Sequence, residues 1–86
     1  MSNVESQREF NRQITNGRNI AIVNIMEFFT FEHIQNPDLQ DVAGACAQFA
    51  CDILSLIETD SAELTTGLRK LLEAKDCFVR AAIAPF

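Results

Sequence analysis

SAELTTGLRKLLEAKDCFVRAAI, residues 61 to 83, is the stretch that decides the fold. Leu64, Leu68, Leu71, Leu72, Phe78, Val79, Ala82 and Ile83 recur at spacings of three and four, with Lys75 the only polar interruption. That period places them on one face of a helix. Arg69 with Glu73, and Asp76 with Arg80, are opposite charges four apart on another face and predict a solvated stripe. Gly67, Ala74 and Ala81 lie seven apart on a third face. They either admit another helix closely or are merely small. Asp60 is placed to cap the helix, with Glu63 three residues later as in a capping box. Pro85 stops it.

The segment before it predicts a second helix. Asn36-Pro37 pairs a good cap with the residue best suited to the first helical position. Leu39, Val42, Ala43, Cys46, Phe49, Ala50, Ile53, Leu54 and Ile57 then make one apolar face. Gly44 sits inside it at a cost of about 1 kcal/mol against Ala. It marks a tight contact, a ligand's approach or a tolerated glycine. The break at Glu58-Thr59-Asp60 is short, so the two long helices should be antiparallel neighbours.

Further upstream, NIAIVNIMEFFTF (residues 19 to 31) alternates well enough for a strand. The Ile22, Ile25, Met26, Phe29 stripe favours a helix ending near Phe29. Asn16-Gly17 is a turn signal, and residues 1 to 15 read as a weak amphipathic helix or an arm. The expected class is all-α: an N-terminal arm or short helix over residues 1–18, then a helical hairpin domain over 19–86. Two long helices and one shorter element cannot close a core. A symmetric oligomer is therefore expected, a dimer or a multiple of one.

Composition narrows the function. Hydrophobic residues make up 48% of the chain, which excludes compositional disorder. No run is long enough for a membrane span, and the N-terminus lacks a signal-peptide pattern. Cys46, Cys51 and Cys77 are odd in number and lie within helical patterns, which predicts reduced, buried thiols in a cytoplasmic protein. With a lone His33 and these cysteine spacings, no metal site is expected, and no cofactor is implied. From Asn19 to Leu68 there are eight acids and no Lys or Arg. That disfavours duplex nucleic acid, whose binding rests on phosphate neutralisation. A small anion would need only a few cations gathered where the N-terminal segment meets the last helix.

No nucleophile elbow, Walker loop or dinucleotide-binding glycine run is present, so no catalytic residues are assigned. His33 beside Glu32 is the one acid–base candidate, and such pairs are common on surfaces. The Phe28-Phe29-Phe31 cluster is core by default. Phe31 and His33, however, lie in a connection where a ring can stay free to stack on a base.

Two stretches together carry a family resemblance. FTFEHIQNPDLQ (residues 29 to 40) resembles the aromatic-His-Pro segment before the helical hairpin of phage-encoded signal sponges. SAELTTGLRKLLEAKD (residues 61 to 76) resembles the second hairpin helix, with its Ser-x-Glu start and Lys-Leu-x-Glu-Ala run. These are the anti-CBASS and anti-Thoeris sponges, which bind immune second messengers without cleaving them. Their ligands are cyclic di- and trinucleotides or cyclic ADP-ribose isomers, held between protomers of dimers that assemble up to hexamers.

The resemblance implies a non-enzymatic, homo-oligomeric, nucleotide-binding protein in the cytoplasm of an infected bacterial host. Phe31 matches the ring that stacks on the ligand, Ser61 and Glu63 match the Ser-x-Glu opening, and Lys70 matches the second helix's lysine. His33 and Arg69 complete the candidate ligand-binding set. The chain departs from the family where a Tyr often stands in place of Phe31. It departs again in the first hairpin helix, which usually offers Arg or Lys to a phosphate; here Val42-Ala43-Gly44-Ala45-Cys46 carries no cation. Arg69, Lys70, Arg80 or Arg18 would replace that charge from another chain. The rival reading is a helical-hairpin adaptor that binds another protein, with an enzyme third. Converging bases favour a sponge, dispersed ones an adaptor.

Overall fold

The computed structural model describes residues 9, 12–31 and 34–83. Its described elements are all helical: α1 (Ile20–Glu27), α2 (Pro37–Leu56) and α3 (Ala62–Ile83). The helices pack against one another, α3 contacting both α2 and α1. Most of residues 1–11, the Glu32-His33 pair and the Pro85 stop lie outside the described residues, so those expectations have no structural counterpart here.

Each helix begins where a side chain can take an orphan N–H. Asn19 Oδ1 accepts from the Ala21 amide at 2.9 Å, and Asn36 Oδ1 from the Asp38 amide at 2.9 Å, with Pro37 in the first turn. At α3 the expected cap is corrected. Ser61 Oγ, not Asp60, accepts from the Leu64 amide at 3.1 Å. The Asp60 carboxylate instead reaches across the chain to Arg18 and the Asn19 amide. A carboxylate that can pair with a cation gains more there than at a helix start that a neighbouring hydroxyl already serves.

The helix ends lack cations of their own. Neither α1 nor α2 has a basic residue in its last turn. Both borrow one. The Arg18 guanidinium donates to the carbonyls of Ile57 at 2.7 Å and Glu58 at 2.9 Å, while its Nε faces Asp60 Oδ1 at 3.2 Å. Lys75 Nζ donates to the Phe28 carbonyl at 2.7 Å, just past α1. Each cation sits on the negative end of a helix dipole and satisfies carbonyls left without an intrahelical partner. Asn16-Gly17 forms the expected turn. Gly17 takes φ +81°, and Arg18 emerges from that turn aimed at α2.

The core gathers Ile22, Ile25, Met26 and Phe29 from the α1 stripe, a small-residue face of α2, and Leu64 and Leu68 of α3. The α2 contribution corrects the expected face. Ala47 and Cys51 are buried, whereas Phe49 is 54% exposed and Ile57 is exposed too. The reason is volume. Phe29, Ile22 and Met26, fully buried, share one core cluster with Cys46, Ala47, Ala50, Cys51 and Leu54 of α2, whose mostly small side chains leave room for them. Each of those large residues contributes roughly 1.5–3 kcal/mol by leaving water.

Of the cysteines, Cys46 and Cys51 are buried free thiols as expected; Cys77 is exposed. Among the described residues the ion pairs are Arg18–Asp60 and Arg12–Glu9, so the expected α3 pairs do not close. Arg80 donates instead to Cys77 Sγ at 3.4 Å.

Candidate functional site

Two concavities among the described residues border the predicted site residues. The first is polar, holds about 300 Å³, and is lined by Asn19, Ala21, Asp60, Ser61, Ala62, Thr65, Thr66 and Arg69. It forms where α1 and α3 both begin, so the positive ends of two helix dipoles meet there. Ser61, Thr65 and Arg69 are successively four residues apart and Thr66 is three before Arg69, so the start of α3 turns their side chains toward one side, where all four line the cleft. The Asp60 carboxylate in the wall is already engaged by Arg18 and the Asn19 amide, and Thr65 Oγ1 donates to the Ser61 carbonyl at 3.2 Å.

The second concavity is an apolar groove of about 320 Å³ between α2 and α3, lined by Phe49, Ile53, Ile57, Leu64, Leu68 and Leu71, with Gly67, Ser61 and Glu63 also in its wall. No residue of α1 lines it.

The sequence-derived site residues divide between these regions. Ser61 borders both concavities, Glu63 the groove and Arg69 the polar cleft. Lys70 is exposed and lines neither. Arg69 and Lys70 have no carboxylate within ion-pair distance among the described residues. His33 lies outside the described residues.

Phe31 is elsewhere. Its ring lies on Gly44, where an added Cβ would come within 3.2 Å of Phe31 Cε2. The unexplained helical glycine is therefore the seat of an aromatic ring, and the half-buried ring is partly used by the fold. Gly44 precedes Ile57 by thirteen residues, or about 20 Å of helix at 1.5 Å per residue. Phe31 thus packs about two turns into α2, whereas the Ser61–Arg69 cluster lies past its C-terminal end, and one chain keeps them apart along that helix.

Burial raises the Cys46 and Cys51 thiols above their ordinary value, which holds them protonated and unreactive; for Cys46 the nearby Lys75 charge offsets part of the effect. Among the described residues no three His, Cys, Asp or Glu side chains gather as a metal site. No described helix is long and apolar enough to cross a membrane.

Sequence reasoning missed two assignments. The sequence offers Arg18 as a charge for a ligand and Lys75 as a polar interruption of an apolar face, yet both serve helix ends. The missing basic residue in the last turns of α1 and α2 was the available signal. Compared with models of known protein families, with curated proteins and with solved structures, the chain matches none.

Proposed function

We propose that the protein is a binding protein, not an enzyme, and that it sequesters an anionic cyclic nucleotide as a homo-oligomer of helical hairpins. The observation that carries the proposal is Arg69. With Arg18 and Lys75 engaged at helix ends, Arg69 lines a polar cleft of hydroxyls and helix N-termini and has no carboxylate partner among the described residues. A phosphate there would accept from a guanidinium, hydroxyls and amide dipoles together. Lys70, on the adjacent outer surface of α3, adds positive potential.

The separation of Phe31 from this cleft supports a ligand shared between chains. The ring of one copy and the Ser61–Glu63–Arg69 end of another would grip opposite parts of it, and His33 lies next to Phe31 in sequence. Cyclic di- and trinucleotides and cyclic ADP-ribose isomers, the ligands implied by the sponge resemblance, have both the base and the phosphate this requires.

Titration calorimetry against a panel of these nucleotides tests the proposal. Saturable binding is expected for at least one. Arg69→Gln should weaken it by roughly tenfold or more. Heating the complex should release the nucleotide chemically intact, because hydrolysis of a cyclic phosphodiester needs a metal-activated water or a tuned acid and base. A shortened product would overturn the proposal and point to His33 with Glu32. The second reading, an adaptor for another protein, is favoured by the apolar groove. Binding by no nucleotide, together with capture of a helical peptide in the groove, would establish it instead.

A further inference from the structure

We infer that the open groove between α2 and α3 is an interface between two copies of this chain, with Gly67 as the point of closest approach. This specifies the face through which the proposed assembly forms. It rests on the oligomeric part of the proposed function and not on nucleotide binding.

Three observations lead to a second copy as the occupant. The first is the contrast between two helical glycines. Gly44 is filled from within the chain by Phe31, whereas a Cβ at Gly67 would meet nothing within 4 Å. A glycine in a helix interior costs about 1 kcal/mol against Ala, and no contact within the chain accounts for it at Gly67. It is exposed and lines the groove, between Leu64 and Leu71 along α3.

The second is the extent of the apolar surface. Gly67, Leu71, Ala74 and Phe78 continue the groove along α3 at spacings of four and three, and Phe78 is exposed. On α2, Ala45, Phe49, Ile53 and Leu56 run alongside, with Leu56 78% exposed. Two helices side by side and roughly 30 Å long present about 600 Å² in projection, and more with side-chain relief. That approaches the roughly 800 Å² per partner of a stable interface.

The third is charge. On this outer surface α2 carries Asp52 beside Phe49 and Leu56, and α3 carries Lys70 between Gly67 and Ala74. A two-fold contact that lays α2 of one copy on α3 of the other sets Asp52 against Lys70, twice.

The test is the mass of the full chain in solution by sedimentation and light scattering, with no nucleotide present. Wild type is expected as a dimer or a multiple of dimers at micromolar concentration. Phe49→Glu and Gly67→Gln should each raise its dissociation constant by roughly tenfold or more. Gly67→Gln adds a better helix former where the isolated chain has open space, so its monomer should melt no lower than wild type, which separates lost assembly from lost folding. Phe28→Ser, at an exposed phenylalanine away from the groove, should leave the mass unchanged. A monomeric wild type, or an oligomer indifferent to both groove substitutions, would overturn the inference and leave the face to a different protein. An oligomer that dissociates as expected yet binds no nucleotide would retain it and remove the nucleotide proposal alone.

Discussion

The two sides of the α2–α3 pair use the same kinds of residue for different ends. One side takes α1 and buries Ile22, Met26 and Phe29 completely against alanines and cysteines. The other keeps the larger apolar residues of α2, Phe49 and Ile57, in contact with water beside Leu71 and Gly67. Hydrophobicity alone does not tell a core face from a docking face. The difference is whether the chain has another element of its own to lay there. Among the described elements α1 is the one beyond that pair, and its buried residues lie on one side of it.

Substitutions compared across the two sides should show this most sharply. Phe29→Ala removes a fully buried ring and should cost about 3–5 kcal/mol of folding stability in urea or thermal unfolding. Phe49→Ala, at an exposed ring of the same kind, should cost the monomer roughly 0.5 kcal/mol or less. Equal losses would break the distinction between the two sides.

The next largest effect concerns the ends of the helices. Arg18→Ala leaves the last carbonyls of α2 and the Asp60 carboxylate without their cation and should cost about 2–3 kcal/mol. Arg69→Ala and Lys70→Ala, which have no such partners, should stay within roughly 0.5 kcal/mol in the same assay. A similar loss at Arg69 would mean that it is structural and would count against its role in the cleft.

The glycines refine the comparison further. Gly44→Leu should destabilise by about 1–3 kcal/mol because Phe31 already occupies the space. Gly67→Ala should stabilise the isolated chain by about 0.5–1 kcal/mol.

The smallest effect is at the thiols. Cys77 should react with a disulfide reagent in the native protein, while Cys46 and Cys51 should react only on unfolding. Burial raises both inner thiols in the folded state, so the folded chain holds their protons to higher pH than the unfolded chain does. Their contribution to stability is therefore complete below the ordinary thiol value of 9.0 and is lost as pH rises through the folded values. Unfolding titrated from neutral to alkaline pH should show a shallow decline that Cys46→Ala with Cys51→Ala reduces.

Local chemistry by itself determined the helices of this protein. The three-four spacing of Ile22, Ile25, Met26 and Phe29, the Asn36-Pro37 start and the long period from Leu64 onward are properties of neighbouring residues, and the helices formed where those properties placed them. The Asn16-Gly17 turn was legible for the same reason, since it depends on one glycine's freedom to take positive φ.

The spacing along α2 placed Ala43, Cys46, Ala50 and Leu54 inside; tertiary structure alone decided that Ala47 and Cys51 join them while Phe49 and Ile57 do not, because that depends on the volume of side chains arriving from α1 and not on hydrophobicity along α2. It chose Ser61 over Asp60 as the α3 cap by offering Asp60 a cation forty-two residues away in the chain. It took Arg18 and Lys75 out of the set of available bases and left Arg69 in it. It also separated Phe31 from Ser61 and Glu63, which the sequence could group only by their likeness to a family pattern, and from Arg69. In each case the deciding partner is distant in sequence, and a spacing rule reaches no further than the turn of helix on which it is written.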